Sequence, residues 1–287
     1  MNSTYFTSIQ TSISNSSTIN TESWFIPLDI INLIFLILVI ILGVVFLFIF
    51  IIDKTCHTVP VMLVASSCLA KLLFAIDLFG MVIWSLKNDV KQISYQDSLC
   101  IFRGYFGHVT IVAQLHSYLL QAIYRYITVI YPTRLFWQRK QVQGFLIGVT
   151  WMCAFIFIIP HVVTGEIQYN ADNQICETPF QINKRATIVN TVSRAQQELR
   201  MVHRIVILVM ILLVLGVPYT IFVIMGFFTE PPKYHFRIAF TFVYISLVFI
   251  MITLFQFTDP VKTYIMKKIK RQSNIIATTT VQMNEVR

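Results

Sequence analysis

From Gly104 to Tyr124 the chain carries no Asp, Glu, Lys or Arg, and the charge that ends this run is Arg125. In helical form such a run rises about 31 Å, the thickness of a bilayer's hydrocarbon core. Runs of this kind recur. Ile30 to Ile52 lies between Asp29 and Asp53, and Gln141 to Gly165 and Ile238 to Thr258 are both uncharged. Val59 to Leu86 is equally apolar apart from Lys71 and Asp77. Only 12% of the residues are charged and 56% are hydrophobic, whereas an ordinary soluble domain is about 25% charged. In hydrocarbon a backbone must satisfy its own hydrogen bonds, so these runs read as spanning helices of a multi-pass membrane protein.

The charges that remain set the orientation. Lys54 and His57 follow the first run, and Arg134, Arg139 and Lys140 follow the third. Lys267, Lys268, Lys270 and Arg271 follow the last. Residues 1–24 have no Lys or Arg, and the segment from Glu166 to Glu177 carries acids only. Cations gathered after the first and third runs mark the cytoplasmic face, which puts the amino terminus outside the plasma membrane; the last cluster shares that face only with one further span, missing or unrecognised, before it. The net charge of +9 therefore reflects membrane topology and contact with anionic lipid, and nucleic acid is not an expected partner. Residues 1–24 read as a polar extracellular tail in which Asn2 and Asn15 are glycosylation acceptors. The five cysteines form no Cys-x-x-Cys and the six histidines no His-x-x-x-His, so neither metal nor cofactor is expected. No nucleophile, base and orienting acid come together either, and enzymatic activity is not expected.

Several landmarks fall at consistent intervals. Cys100 opens the third run and Tyr124, Arg125 and Tyr126 close it, with Pro132 seven residues beyond the arginine. Leu69 to Leu73 reads Leu-Ala-Lys-Leu-Leu, Trp151 and Pro160 lie in the fourth run, Pro218 in the next, and Asp259 and Pro260 end the last. Taken in order, these residues resemble the rhodopsin-like family of G-protein-coupled receptors. The triplet resembles its Asp-Arg-Tyr with the acid replaced, and Asp259-Pro260 its Asn-Pro-x-x-Tyr in Asp-Pro form, with Tyr264 one residue late. Lys71 stands where the family carries an acid, and the Trp of its Cys-Trp-x-Pro is missing before Pro218.

The resemblance implies an all-α membrane fold, a seven-transmembrane-receptor-like bundle. About six spans are recognisable, near 25–52, 59–86, 99–131, 141–165, 198–228 and 234–264. A short amphipathic helix over 265–272 and a cytoplasmic tail over 273–287 follow. Between Cys176 and Glu198 the sequence is too polar for a lipid-facing span, so the fifth helix of the family appears as a gap. The resemblance further implies a Cys100–Cys176 disulfide and a cytoplasmic coupling site at Tyr124, Arg125 and Tyr126. Glu198, twenty positions before Pro218, would pair with Arg125 in a resting state. Pro218, Asp259, Pro260 and Tyr264 would form the bend and core switch. With Lys71 cationic and Asp259 anionic, a buried Lys71–Asp259 ion pair is expected in place of the family's sodium site.

The implied partners are a heterotrimeric G protein and an extracellular ligand. Gly107 stands where amine receptors carry Asp, and Thr253 where opsins carry the retinal-linked lysine, so neither a biogenic amine nor retinal is expected. A truncated, non-signalling receptor-like protein is the alternative, and a transporter or channel is a weaker one, since no internal repeat is visible.

Overall fold

The computed structural model describes residues 24–91, 99–131, 133, 135–165, 168–170, 175–177, 217, 220–222, 225 and 235–268. Five long helices run through them: α1 (Phe25–Ile52), α2 (Val59–Lys91), α3 (Cys100–Ile130), α4 (Lys140–Val163) and α5 (His235–Phe257). After one non-helical residue, Thr258, the backbone is helical again over 259–268. A two-stranded antiparallel hairpin, β1 (Gln168–Asn170) and β2 (Ile175–Glu177), follows α4 and pairs Tyr169 with Cys176.

In α1 the buried residues are Phe25, Asp29, Asn32, Leu36, Val39, Gly43, Phe46 and Ile49, each three or four after the last. That spacing is one stripe of a 3.6-residue helix. The remaining faces are no less apolar, with Ile30, Ile34, Ile41, Phe48 and Ile51 all exposed. Water would not tolerate such an exterior and lipid requires it. Helix α1 stops at Asp53, whose backbone N–H donates to Ile49 O at 2.9 Å and whose Oδ1 accepts from Thr55 N at 2.9 Å. The Thr55 backbone and hydroxyl donors hold the Asp53 carboxyl below its ordinary pKa. The tight turn Lys54–Cys56 then leads into α2, where Pro60 occupies the first turn and sacrifices no helical hydrogen bond.

Helix α2 is the hub, packed by α1, α3, α4 and α5. Its inner segment is built from small residues, with Ala65, Ser66, Ser67, Cys68 and Ala70 all buried, which lets neighbouring backbones come close. The α1 crossing shows how close: a Cβ on Gly43 would lie 3.2 Å from Leu72 Cδ1, and the Cys68 thiol points at Gly43 O, 3.9 Å away. Leu36, Val39 and Phe46 of α1 form one core with Phe74, Leu78 and Val82 of α2 and Leu247, Met251 and Leu254 of α5. On the other side, Ala70 packs with Val109 and Ala113 of α3 and Ala154 and Ile158 of α4. Trp151 Nε1 donates to Ser66 Oγ at 3.3 Å, and Ser66 Oγ lies 3.3 Å from Ser117 Oγ. Polar links of this kind fix helix registry where apolar packing alone is non-directional.

Helices α1, α2, α4 and α5 are each long and apolar enough to cross a membrane. Helix α3 has the length, 31 residues, but carries His108, Gln114, His116 and Gln121, polar groups that suit a helix between protein neighbours. The last predicted span, 234–264, is described from His235 onward, with Thr258 as its one non-helical residue. The predicted span over 198–228 and the polar gap before it lie largely outside the described residues; 217, 220–222 and 225 are helical.

At the end of the bundle where α1 begins, the structure holds an ion pair that the sequence did not reveal. The Arg237 guanidinium on α5 donates to both carboxylate oxygens of Asp89 on α2, at 2.5 and 3.1 Å, and to Ser85 Oγ at 2.9 Å. Its face lies over the Phe25 ring of α1, 4.5 Å from the centroid. Both charged side chains are buried, at 5% and 0% exposure. Removing one partner of such a pair leaves the other charge stranded, at a cost of about 3–5 kcal/mol, whereas removing both costs far less. Arg237→Ala should therefore lower thermal stability strongly, and Asp89→Ala/Arg237→Ala should lower it by much less than the sum of the single losses. Additive losses in the double-mutant cycle would mean that the pair contributes no coupling.

Candidate functional site

At the opposite end of the bundle, α2, α3 and the end of α5 surround a cavity of about 420 Å³. Helix α3 contributes Gln121, Tyr124, Arg125 and Thr128, which recur at three- and four-residue intervals and so share one face. Pro60, Leu63 and Val64 line it from the first turns of α2, and Thr258, Asp259 and Pro260 from the break after α5. Arg125 is half-buried. Gln121 Nε2 donates to Leu63 O at 3.3 Å, fixing α3 against α2 one turn before the arginine. Thr128 turns its hydroxyl back onto Tyr124 O at 2.6 Å, so the last turns of α3 satisfy their own carbonyls beside the opening.

Arg125 and Asp259 thus contribute to one wall set, with opposite charges on opposing elements. The cavity is otherwise largely aliphatic and aromatic, and its volume is in the range of small-molecule and side-chain-sized occupants. Tyr124 lines it, whereas Tyr126 is 56% exposed and has its ring edge-on to Tyr131, centroids 6.4 Å apart. Tyr264 does not line it either: it packs half-buried on the α1–α2–α5 core next to the fully buried Val261. Of the predicted amphipathic helix over 265–272, residues 265–268 are described; they are helical, with Met266, Lys267 and Lys268 exposed. Glu198, Pro218, Asn2, Asn15 and Pro132 lie outside the described residues.

The expected Lys71–Asp259 pair is not formed. Lys71 is fully buried, with Nζ donating to Ser67 O at 3.3 Å and lying over the Tyr118 ring, 4.9 Å from its centroid. Asp259 is exposed at the cavity. The reason is depth: Lys71 lies eleven residues into α2 from Pro60, which lines the cavity with Asp259, and eleven residues rise about 16 Å. The ammonium is instead held by a carbonyl of its own helix and by an aromatic face, an attraction of about 0.5–2 kcal/mol. Asp77, on another side of α2, turns to α3, where a Cβ on Gly107 would come within 3.0 Å of its Oδ2. A lysine whose described contacts include no carboxylate should be dispensable for stability. Lys71→Met, which keeps the volume and removes the charge, is expected to leave the melting temperature unchanged or raise it. A loss of about 3–5 kcal/mol, the cost of breaking a buried pair, would restore the ion-pair assignment.

Residues 42–193, just over half of the chain, match the family model of the 7 transmembrane receptor (rhodopsin family). No curated protein matches the chain at a significant level. The matched region runs from the Gly43 crossing in α1 through the Arg125 end of α3 to the hairpin and beyond, so it contains most of the architecture described above. The chain therefore belongs to the rhodopsin family of seven-transmembrane receptors.

Proposed function

We propose that the chain is a G-protein-coupled receptor of the plasma membrane, in which an extracellular ligand shifts a helix equilibrium and opens the Arg125 cavity to a heterotrimeric G protein. The observation that carries this reading is the cavity itself. An arginine at the end of α3, an aspartate at the end of α5 and an aliphatic wall on α2 form a recess suited to an amphipathic helix end. A ligand can drive the opening only through its difference in affinity for the closed and open arrangements.

The remaining assignments follow from this orientation. The amino terminus is extracellular and carries glycans at Asn2 and Asn15. Glu198 restrains Arg125 in the resting state, and Pro218 supplies the bend about which its helix swings. Cys100 and Cys176 form a bridge that holds the hairpin over the outer end of α3. Supporting it, Cys100 is disulfide-bonded while Cys56, Cys68 and Cys153 are free, and β2, which contains Cys176, packs against α3. Such a closure would stabilise the fold by about 4 kcal/mol on a chain-entropy account. The Lys267–Lys268 end rests on the anionic inner leaflet. The ligand is neither a biogenic amine nor retinal, and one reason lies at Gly107. Glycine there supplies no carboxylate of its own.

Binding of nucleotide-free Gα subunits to the purified chain in nanodiscs tests the proposal. At least one Gα class should bind saturably, and Arg125→Ala should weaken it about tenfold or more with thermal stability preserved, the loss typical of a contact worth about 1.4 kcal/mol. Absence of binding by every class, or equal binding by the variant, would contradict it.

A further inference from the structure

Among the described residues, the end of the bundle where α1 begins carries one aspartate beyond its ion pair. Arg237 binds Asp89 and Ser85, as described above, and a second carboxylate, Asp29 of α1, lies in the same cluster. Asp29 is 5% exposed and Asn32, one turn further along α1, is 3% exposed. Asp29 Oδ2 and Asn32 Oδ1 are both buried without a hydrogen-bond partner. These two residues, with Ser85, Arg237 and Tyr244, line a small cavity of about 20 Å³.

Among the described residues, Asp29, Asp89 and Arg237 sum to −1 when all three are ionised, and a buried carboxylate without a full countercharge is costly. The space is large enough for one water-sized particle and no more, since such a particle needs about 10–15 Å³. A water molecule would satisfy the oxygens and leave the charge. A monovalent cation meets both requirements, and the lining offers the hard oxygen donors such an ion prefers: a carboxylate, an amide carbonyl and the hydroxyls of Ser85 and Tyr244. A divalent ion would leave an excess positive charge beside the guanidinium.

We propose that Asp29 and Asn32 bind a sodium-sized monovalent cation in this cavity, tying α1 to the Asp89–Arg237 pair that joins α2 to α5. The titratable and charged groups facing the site are Asp29 from α1, Asp89 from α2, and Arg237 and Tyr244 from α5. The site is separate from the Lys71 region, where the internal cation is supplied by the chain itself, and it does not depend on G-protein coupling.

The test is thermal unfolding of the full chain in nanodiscs, in sodium chloride and in choline chloride at equal ionic strength and pH. Sodium at roughly tenfold excess over its dissociation constant should raise the melting temperature by about 3 °C. Asn32→Leu, which removes an oxygen but no charge, should abolish the sodium increment, and Asp29→Asn should do the same. Equal melting in the two salts for the unsubstituted chain would overturn the proposal. So would a sodium increment that survives in both variants. Stabilisation by acid alone, identical in both salts, would assign a proton to Asp29 in place of the cation and likewise overturn it.

Discussion

The close packing of α2 is the constraint on which the described bundle depends. Every other long helix touches it, and the contacts are close because its middle is made of Ala, Ser and Cys. In lipid, where apolar side chains gain nothing by leaving hydrocarbon, helices associate through dispersion contacts and a few polar links, and both need short interaxial distances. The Gly43–Leu72 crossing supplies the first. The Ser66, Ser117 and Trp151 oxygens and indole N–H supply the second. A bulky residue in that segment would separate α1 and α3 together, which is why a lysine fits there only with its ammonium folded back on Ser67 O and laid over Tyr118.

The two ends of the bundle are built differently. At the α1 N-terminal end, a bidentate ion pair and an aromatic face join three helices through fully desolvated charge. At the other end, the helices surround a cavity, and the charged residues on its walls, Arg125 and Asp259, are half-buried or exposed. Desolvated pairs hold a geometry rigidly, while partly hydrated ones can exchange partners at little cost.

Much of this architecture could be read from the sequence because hydrocarbon imposes so simple a code. The runs bounded by Asp29 and Asp53, and by Cys100 and Arg125, mark α1 and α3 to within a few residues, and the cation-rich turns mark one face. Tertiary partners carry no such code. Asp89 looks like a loop acid balancing Lys87 and Lys91, and Arg237 like a boundary residue at the start of a span, yet they meet across 148 positions of sequence. Lys71 and Asp259 invite pairing by analogy with an acid and an amide that approach each other in related receptors. Their depths differ by about 16 Å along α2, and depth along a helix is set by packing, not by composition. The non-helical residue Thr258 was legible by contrast, since the uncharged run ends there and Asp259 and Pro260 follow.

In the proposed orientation the Arg237 clamp lies at the outer face of the membrane and the Arg125 cavity at the inner face. Single cysteines introduced as Trp24→Cys and Thr133→Cys, in a background where Cys56 and Cys153 are replaced by serine, can be tested on cells with a membrane-impermeant maleimide. The account predicts that the cysteine at position 24 labels on intact cells and the one at 133 only after permeabilisation. Labelling of both from the same side, or of 133 alone on intact cells, would contradict it.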